Sequence, residues 1–269
     1  GGENTFGYHL VNLILHCFNA WFLYLLIRLF FKTPYLENAL SSPNVLAFVA
    51  ATIFLCHPLQ TESVSFIWQR SELLHAFFYF LTLLCYFQGR LKKWNVYFLF
   101  AALFFIFGFY SKGMIVSLPL LLVVLECGLW TLSRRKGYTI ILFLGGLIFL
   151  KSYLSFFEEP WAVYSQVVMV PLTKLTNTIL TWEHFWTQLY VAVKYLILTI
   201  FPLSQNLDYD IPRAVSFWDP RVCLSAGILV GLIGYALIIW KKRRLLAVVI
   251  FWFFIALLPS SLLGGRDPM

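Results

Sequence analysis

Apolar residues run along this chain in long blocks separated by short basic or polar links. Blocks of about twenty residues match the length a helix needs to cross a bilayer. The pattern predicts spans at 7–30, 44–57, 71–88, 94–111, 114–131, 138–155, 221–240 and 245–263. A β-barrel would instead show short alternating segments. One further apolar stretch, 184–202, breaks the parity of the crossings. The next span ends in Lys241-Lys242-Arg243-Arg244, which pins that end inside and its start outside. So either 184–202 lies along or re-enters the outer leaflet, which His184 and Lys194 favour, or part of 161–180 makes a paired crossing. The expected fold is all-α, a polytopic membrane protein of about eight transmembrane helices plus one irregular or re-entrant outer-leaflet helix.

Composition agrees, with 61% hydrophobic and 12% charged residues across 269 positions. The net charge of +8 suggests nucleic acid until its location is read. Arg28, Lys32, Arg90, Lys92, Lys93, Arg134, Arg135 and Lys136 join the 241–244 run at alternate helix ends, which orients a bundle rather than binding a polyanion. Cys17, Cys56, Cys85, Cys127 and Cys223 show neither metal nor disulfide spacing and read as small packing residues. Of the twelve carboxylates, all but Glu37 and Glu126 fall on the outer side.

The most informative polar stretch is 57–74, from His57-Pro58 through Glu62, Arg70 and Glu72. Ionisable groups at the mouth of an apolar bundle are costly and mark sites. If 61–74 is helical, Glu62 and Ser65 share a face with Gln69. Two readings stand for Glu62 and Arg70: a structural pair, or Arg70 holding a phosphate while Glu62 orients a polar substrate. Lys112 lies in the minimal turn Ser111-Lys112-Gly113 with no counter-charge nearby in sequence. It either snorkels to lipid headgroups or faces the same outer cavity as Arg70. Pro119 marks the start of the helix that follows.

On the first span, His9, Asn12, His16 and Asn19 recur at steps of three and four, on one helical face. They form either a polar seam bonded to neighbouring helices or the lining of a polar cavity. His9 and His16 lie two turns apart, about 10 Å, too far for a metal pair. Residues 156–183, with Glu158, Glu159, Lys174, Glu183 and many aromatics, are expected at the outer headgroup level. In 202–221, Asp208 and Asp210 flank Tyr209, either to coordinate a cation or act as base, or as capping aspartates of a turn. A Gly-rich phosphate loop, a His-Glu-x-x-His motif and a Ser-centred elbow are all missing from the sequence.

Several motifs together resemble a known family. Gly7-Tyr8-His9-Leu10-Val11-Asn12-Leu13-Ile14-Leu15-His16 is similar to the helix after the first external loop of the transmembrane and tetratricopeptide O-mannosyltransferase group and its bacterial relatives, in the GT-C superfamily. His57-Pro58-Leu59-Gln60-Thr61-Glu62-Ser63-Val64 with Trp68 and Arg70 resembles the second external loop. Ser111-Lys112 with Leu118-Pro119, Pro202 to Pro212, Asp219-Pro220-Arg221, Leu258-Pro259-Ser260-Ser261 and Arg266-Asp267-Pro268-Met269 follow in the family's order.

The resemblance implies a GT-C-like fold and a polyprenyl-phosphate-linked sugar donor. It also implies an acceptor protein on the periplasmic or luminal side of a bacterial inner membrane or, in a eukaryote, the endoplasmic reticulum membrane. Arg70, Lys112 and Arg266 are the candidates for the donor phosphate; His57, Glu62, Asp208, Tyr209 and Asp210 are candidates for orienting substrate. The family's catalytic aspartate precedes the helix that starts here at residue 7, and Glu3 does not fit it. The family's tetratricopeptide array follows the last membrane helix. The expectation is therefore a single transmembrane domain, 1–269, that is a stretch of a longer protein, with its catalytic residue unassigned. No cofactor is required by this scheme, and Asp208 with Asp210 is the pair a divalent cation would use. Membrane lipids and a larger membrane complex are the remaining expected partners, with no nucleic acid. The alternative is a non-catalytic membrane subunit or scaffold; a transporter is disfavoured because no inverted repeat is seen.

Overall fold

The computed structural model describes residues 5–130, 182–203, 206, 209 and 211–263. Among them the chain is helical, with no strand. Two compact units divide it: Gly1–Ile115 with Leu129–Thr131, and Val116–Gly128 with Leu132–Met269.

The first unit holds α1 (Phe6–Phe30), α2 (Pro43–Cys56), α3 (Thr61–Ser65), α4 (Arg70–Lys92) and α5 (Asn95–Ser111). Helix α4 packs against both α1 and α5. Phe30 and Phe87 meet at 4.9 Å between ring centroids, and Phe87 meets Trp130 at the same distance. Arg90 lies over the Trp130 ring, 5.0 Å from its centre, a contact of about 0.5–2 kcal/mol. Between α4 and α5 the link is only two residues, because Lys93 adopts the left-handed conformation (φ 58°, ψ 30°) that ends a helix sharply.

The second unit holds α6 (Leu118–Leu129, all but its last residue), α7 (Trp182–Ile200), α8 (Pro220–Ile239) and α9 (Arg244–Leu263). Helices α7, α8 and α9 pack on one another, with Ala236, Ile239 and Ala247 at the α8–α9 contact. Asp219 caps α8 by accepting from the Arg221 main-chain N–H at 2.9 Å, and Pro220 occupies the first helical position.

The described core is mainly apolar but includes several polar side chains, and the described exterior is apolar too. Asn12 and Asn19 are fully buried, and His16, Thr82, Thr187 and Ser225 nearly so. Phe48, Val230 and Ile238 stand 65%, 69% and 79% exposed. Bonded polar residues inside and large apolar residues outside suit a protein whose surroundings are hydrocarbon. Helices α1 and α8 are long and apolar enough to cross a membrane, and α2 with Pro58–Ser65, bent by 50°, makes a broken third. Asn95–Ser111, Gly113–Leu129 and Arg244–Pro259 are shorter apolar helices. The expected crossing at 138–155 and the loop 156–181 lie outside the described residues.

One expectation is corrected. Residues 61–74 are not one helix: Phe66 is extended (φ −88°, ψ 117°) and separates α3 from a 3-10 turn at Ile67–Gln69. The segment has no Gly or Pro to announce that break.

Candidate functional site

At one end of the first unit, the chain between α2 and α4 turns three times in thirteen residues. Pro58 has no N–H and biases the preceding residue to extended backbone, and His57 sits there (φ −68°, ψ 128°). The His57 Nδ1 atom accepts from the Leu59 main-chain N–H at 3.2 Å, so its proton is on Nε2. That N–H would otherwise close the helical bond to the Leu55 carbonyl. The carbonyl is instead taken by His16 Nε2, which donates at 3.0 Å.

Helix α1 repeats this arrangement along its length. Asn12 Nδ2 donates to the carbonyls of Val64 and Phe66, at 3.3 and 3.4 Å, where α3 ends. Asn19 Nδ2 donates to the Leu73 carbonyl at 3.0 Å. Broken helices leave orphan carbonyls, and buried orphans cost about 1–3 kcal/mol each. The side chains of α1 meet those of Leu55 and Val64, whereas the Phe66 carbonyl also accepts from the Gln69 N–H and the Leu73 carbonyl belongs to the first turn of α4. His9, on the same face, is half-buried, and its main-chain N–H donates to the Thr5 carbonyl at 3.2 Å.

Arg70 opens α4 and turns toward α1. Its Nε donates to Asn12 Oδ1 at 3.4 Å, and its guanidinium lies 5.2 Å from the centre of the Tyr8 ring. Among the described residues no carboxylate forms an ion pair with it, and its Nη2 is buried without a partner. A charged donor left unmet in this way is costly.

Two residues on, Glu72 turns the other way, toward the end of α5, and pairs with Lys112. Burial holds the Lys112 ammonium below the usual lysine value. The ring of His75, one turn along α4, faces the Lys112 main chain. Lys112 has no counter-charge nearby in sequence, and the fold brings it one from forty positions upstream. Arg70 and Lys112 share one end of the unit but engage opposite faces of α4.

Glu62 is exposed and accepts from Gln69 Nε2 at 3.1 Å, so its described partner is Gln69 rather than Arg70. Tyr209 lies in the second unit, its ring 3.4 Å beneath the Lys194 ammonium. Asp208, Asp210 and Arg266 lie outside the described residues. Among the described residues no group of three His, Cys, Asp or Glu side chains could hold a metal ion. Glu72 and Tyr8 are the site members that sequence reasoning missed. For Glu72 the signal was its place two residues after Arg70; for Tyr8, its place one turn before Asn12.

No family model and no solved structure matches the chain. Curated proteins do. Protein O-mannosyl-transferase Tmtc1 of Drosophila melanogaster is 26% identical over 270 residues, 91% of this chain and 29% of that protein. Protein O-mannosyl-transferase Tmtc2 of the same organism is 26% identical over 263 residues, 91% of this chain and 26% of that protein. Protein O-mannosyl-transferase TMTC2 of Mus musculus is 35% identical over 86 residues, 32% of this chain and 9% of that protein. These are homologues of the chain and carry the name of the group its motifs resemble. The chain spans less than a third of their length.

Proposed function

We propose that this chain is membrane core of a GT-C-type glycosyltransferase that moves a sugar from a polyprenyl-phosphate donor to a protein hydroxyl on the periplasmic or luminal side. The observation that carries the reading is the Arg70 guanidinium, held by Asn12 and Tyr8 with Nη2 buried and unpartnered. In the transfer, the acceptor oxygen bonds to the anomeric carbon while the sugar–phosphate C–O bond breaks. The acceptor loses its proton to a base, which is unassigned, and the phosphate leaves with added negative charge. A preoriented guanidinium at the departing oxygens stabilises that charge more than it stabilises the bound donor. The identity to proteins named O-mannosyl-transferase supports mannose as the sugar. Lys112 and Arg266 stand as further phosphate candidates, and His57, Glu62, Asp208, Tyr209 and Asp210 as substrate-orienting ones.

A second reading, a non-catalytic membrane scaffold, draws on a different observation. Asn12, His16 and Asn19 are engaged with main-chain carbonyls, and Glu72 with Lys112. Lipid mass spectrometry on the purified full-length protein separates the two. A co-purifying polyprenyl phosphate or its glycosylated form, lost in Arg70→Ala and in Arg70→Ala/Lys112→Ala, supports the transferase. Bulk phospholipid alone, equal in all three proteins, supports the scaffold.

A further inference from the structure

The second unit contains a length of non-helical chain, 211–219, laid along a helix of intermediate polarity. This strap touches α7 repeatedly. The main-chain N–H of Ala214 donates to the buried Thr187 hydroxyl at 2.9 Å. Phe217 packs on Trp186 at 5.1 Å between centroids. Just beyond the strap's two ends, Tyr209 lies under Lys194 and Arg221 lies 6.0 Å from the Tyr190 ring. The contacts on α7 thus run from Trp186 to Lys194, the middle of Trp182–Ile200.

The strap's own main chain is poorly satisfied. Besides Ala214, Trp218 N–H reaches Ser216 Oγ and Asp219 N–H reaches the Ser216 carbonyl. Among the described residues, the N–H groups of Arg213, Val215, Ser216 and Phe217 have no partner, and all four residues are exposed. In hydrocarbon each such group would cost several kcal/mol, which is why irregular backbone is not found facing lipid tails. The strap therefore belongs where water or headgroups reach it. Because it is fastened to the middle of α7, that depth applies to the middle of α7 as well.

We propose that α7 and the strap 211–219 form an interfacial hairpin resting in the lipid headgroup layer, on the side where α8 begins, and that α7 does not cross the membrane. Helix α8 fixes the level. It is long and apolar enough to span, its exposed Leu224 and Val230 face outward, and it starts at Pro220, one residue after the strap. Around that start stand Trp182, Phe185, Trp186, Phe217 and Trp218, each ring within 6.4 Å of the next. Trp182 and Trp218 are 73% and 81% exposed. Tryptophan side chains with an apolar body and an N–H tip favour the membrane–water boundary, and Arg213 can meet lipid phosphate there. The occupant of this surface is thus a lipid bilayer's headgroup layer.

The test is a depth measurement on the full-length protein in mixed phosphatidylcholine–phosphatidylglycerol vesicles. Single nitroxide labels go on the exposed positions as Glu183→Cys, Ile197→Cys and Val215→Cys, in a background with native cysteines replaced. Positions 183 and 197 are separated by about 21 Å along a helix axis. Power-saturation depths at headgroup level for all three labels, within a few ångströms of one another, are the expected result. A depth difference of about 20 Å between 183 and 197, or a Val215 label in the hydrocarbon, overturns it. The outcome is independent of Arg70 and of any lipid donor.

Discussion

Each unit contains a stretch where helix gives way to irregular chain, and the two handle their main-chain groups differently. Between α2 and α4, the carbonyls that the breaks orphan are met by Asn12 and His16 from α1. Along 211–219 a single helix-borne hydroxyl, Thr187, meets one N–H, and the neighbouring N–H groups stay exposed. The first break is insulated by protein and can sit beside a buried cation. The second depends on an aqueous boundary. What irregular backbone demands is a partner for every polar group, and the source of that partner sets where in a membrane the segment can lie.

The comparison can be broken most forcefully at Asn12. Asn12→Leu removes two donors to carbonyls and the acceptor for Arg70 Nε, all at a fully buried position. A loss of about 2–4 kcal/mol in detergent unfolding is expected. Thr187→Val strands one buried N–H, that of Ala214, where Asn12→Leu disturbs three bonds, and the loss should be smaller, about 1–2 kcal/mol. Equal losses would show that the two breaks are insulated alike.

Glycines give the next contrast. A Cβ at Gly108 would stand 2.4 Å from Ile115 Cδ1 and 3.0 Å from Phe78 Cβ, whereas at Gly227 on α8 it meets nothing within 4 Å. Gly108→Ala should destabilise by about 1–3 kcal/mol. Gly227→Ala should be neutral or stabilise by up to about 1 kcal/mol. Thermal unfolding of the two single variants reads both.

The smallest effect concerns pH at the end of the strap. The Arg221 guanidinium, bonded to Asp219 Oδ2 at 2.7 Å, holds the Asp219 carboxyl below the usual carboxylate range. Its folded value is depressed, so its contribution is complete above the ordinary aspartate value. It fades as pH falls through the lowered one. Amide exchange at the first turn of α8 should accelerate only in that acid window, and Asp219→Asn should flatten the response. Acceleration near neutral pH would point to another group.

The helices were legible because apolar runs and basic ends mark them plainly: Phe6–Phe30 against an expected 7–30, Pro220–Ile239 against 221–240. The polar face of α1 was legible too, since Asn12, His16 and Asn19 keep helical spacing. Their acceptors were not, because a carbonyl carries no letter in the sequence. Phe66 was missed for a related reason: nothing local forbids helix at 61–74, and the extended residue is held by contacts from α1. The Lys112–Glu72 pair was hidden by its separation along the chain.

Recognition of main chain by Asn12, His16 and Asn19 has a consequence for how this protein tolerates change. The positions whose carbonyls are bound, Leu55, Val64, Phe66 and Leu73, contribute no side-chain atom to those bonds. In a saturation mutagenesis screen for folded protein, Val64 and Phe66 should accept many replacements, proline excepted, while Asn12 accepts almost none. The lock would be written in three letters on α1 and be silent on the other side, leaving the loop's outward-facing chemistry free to diversify.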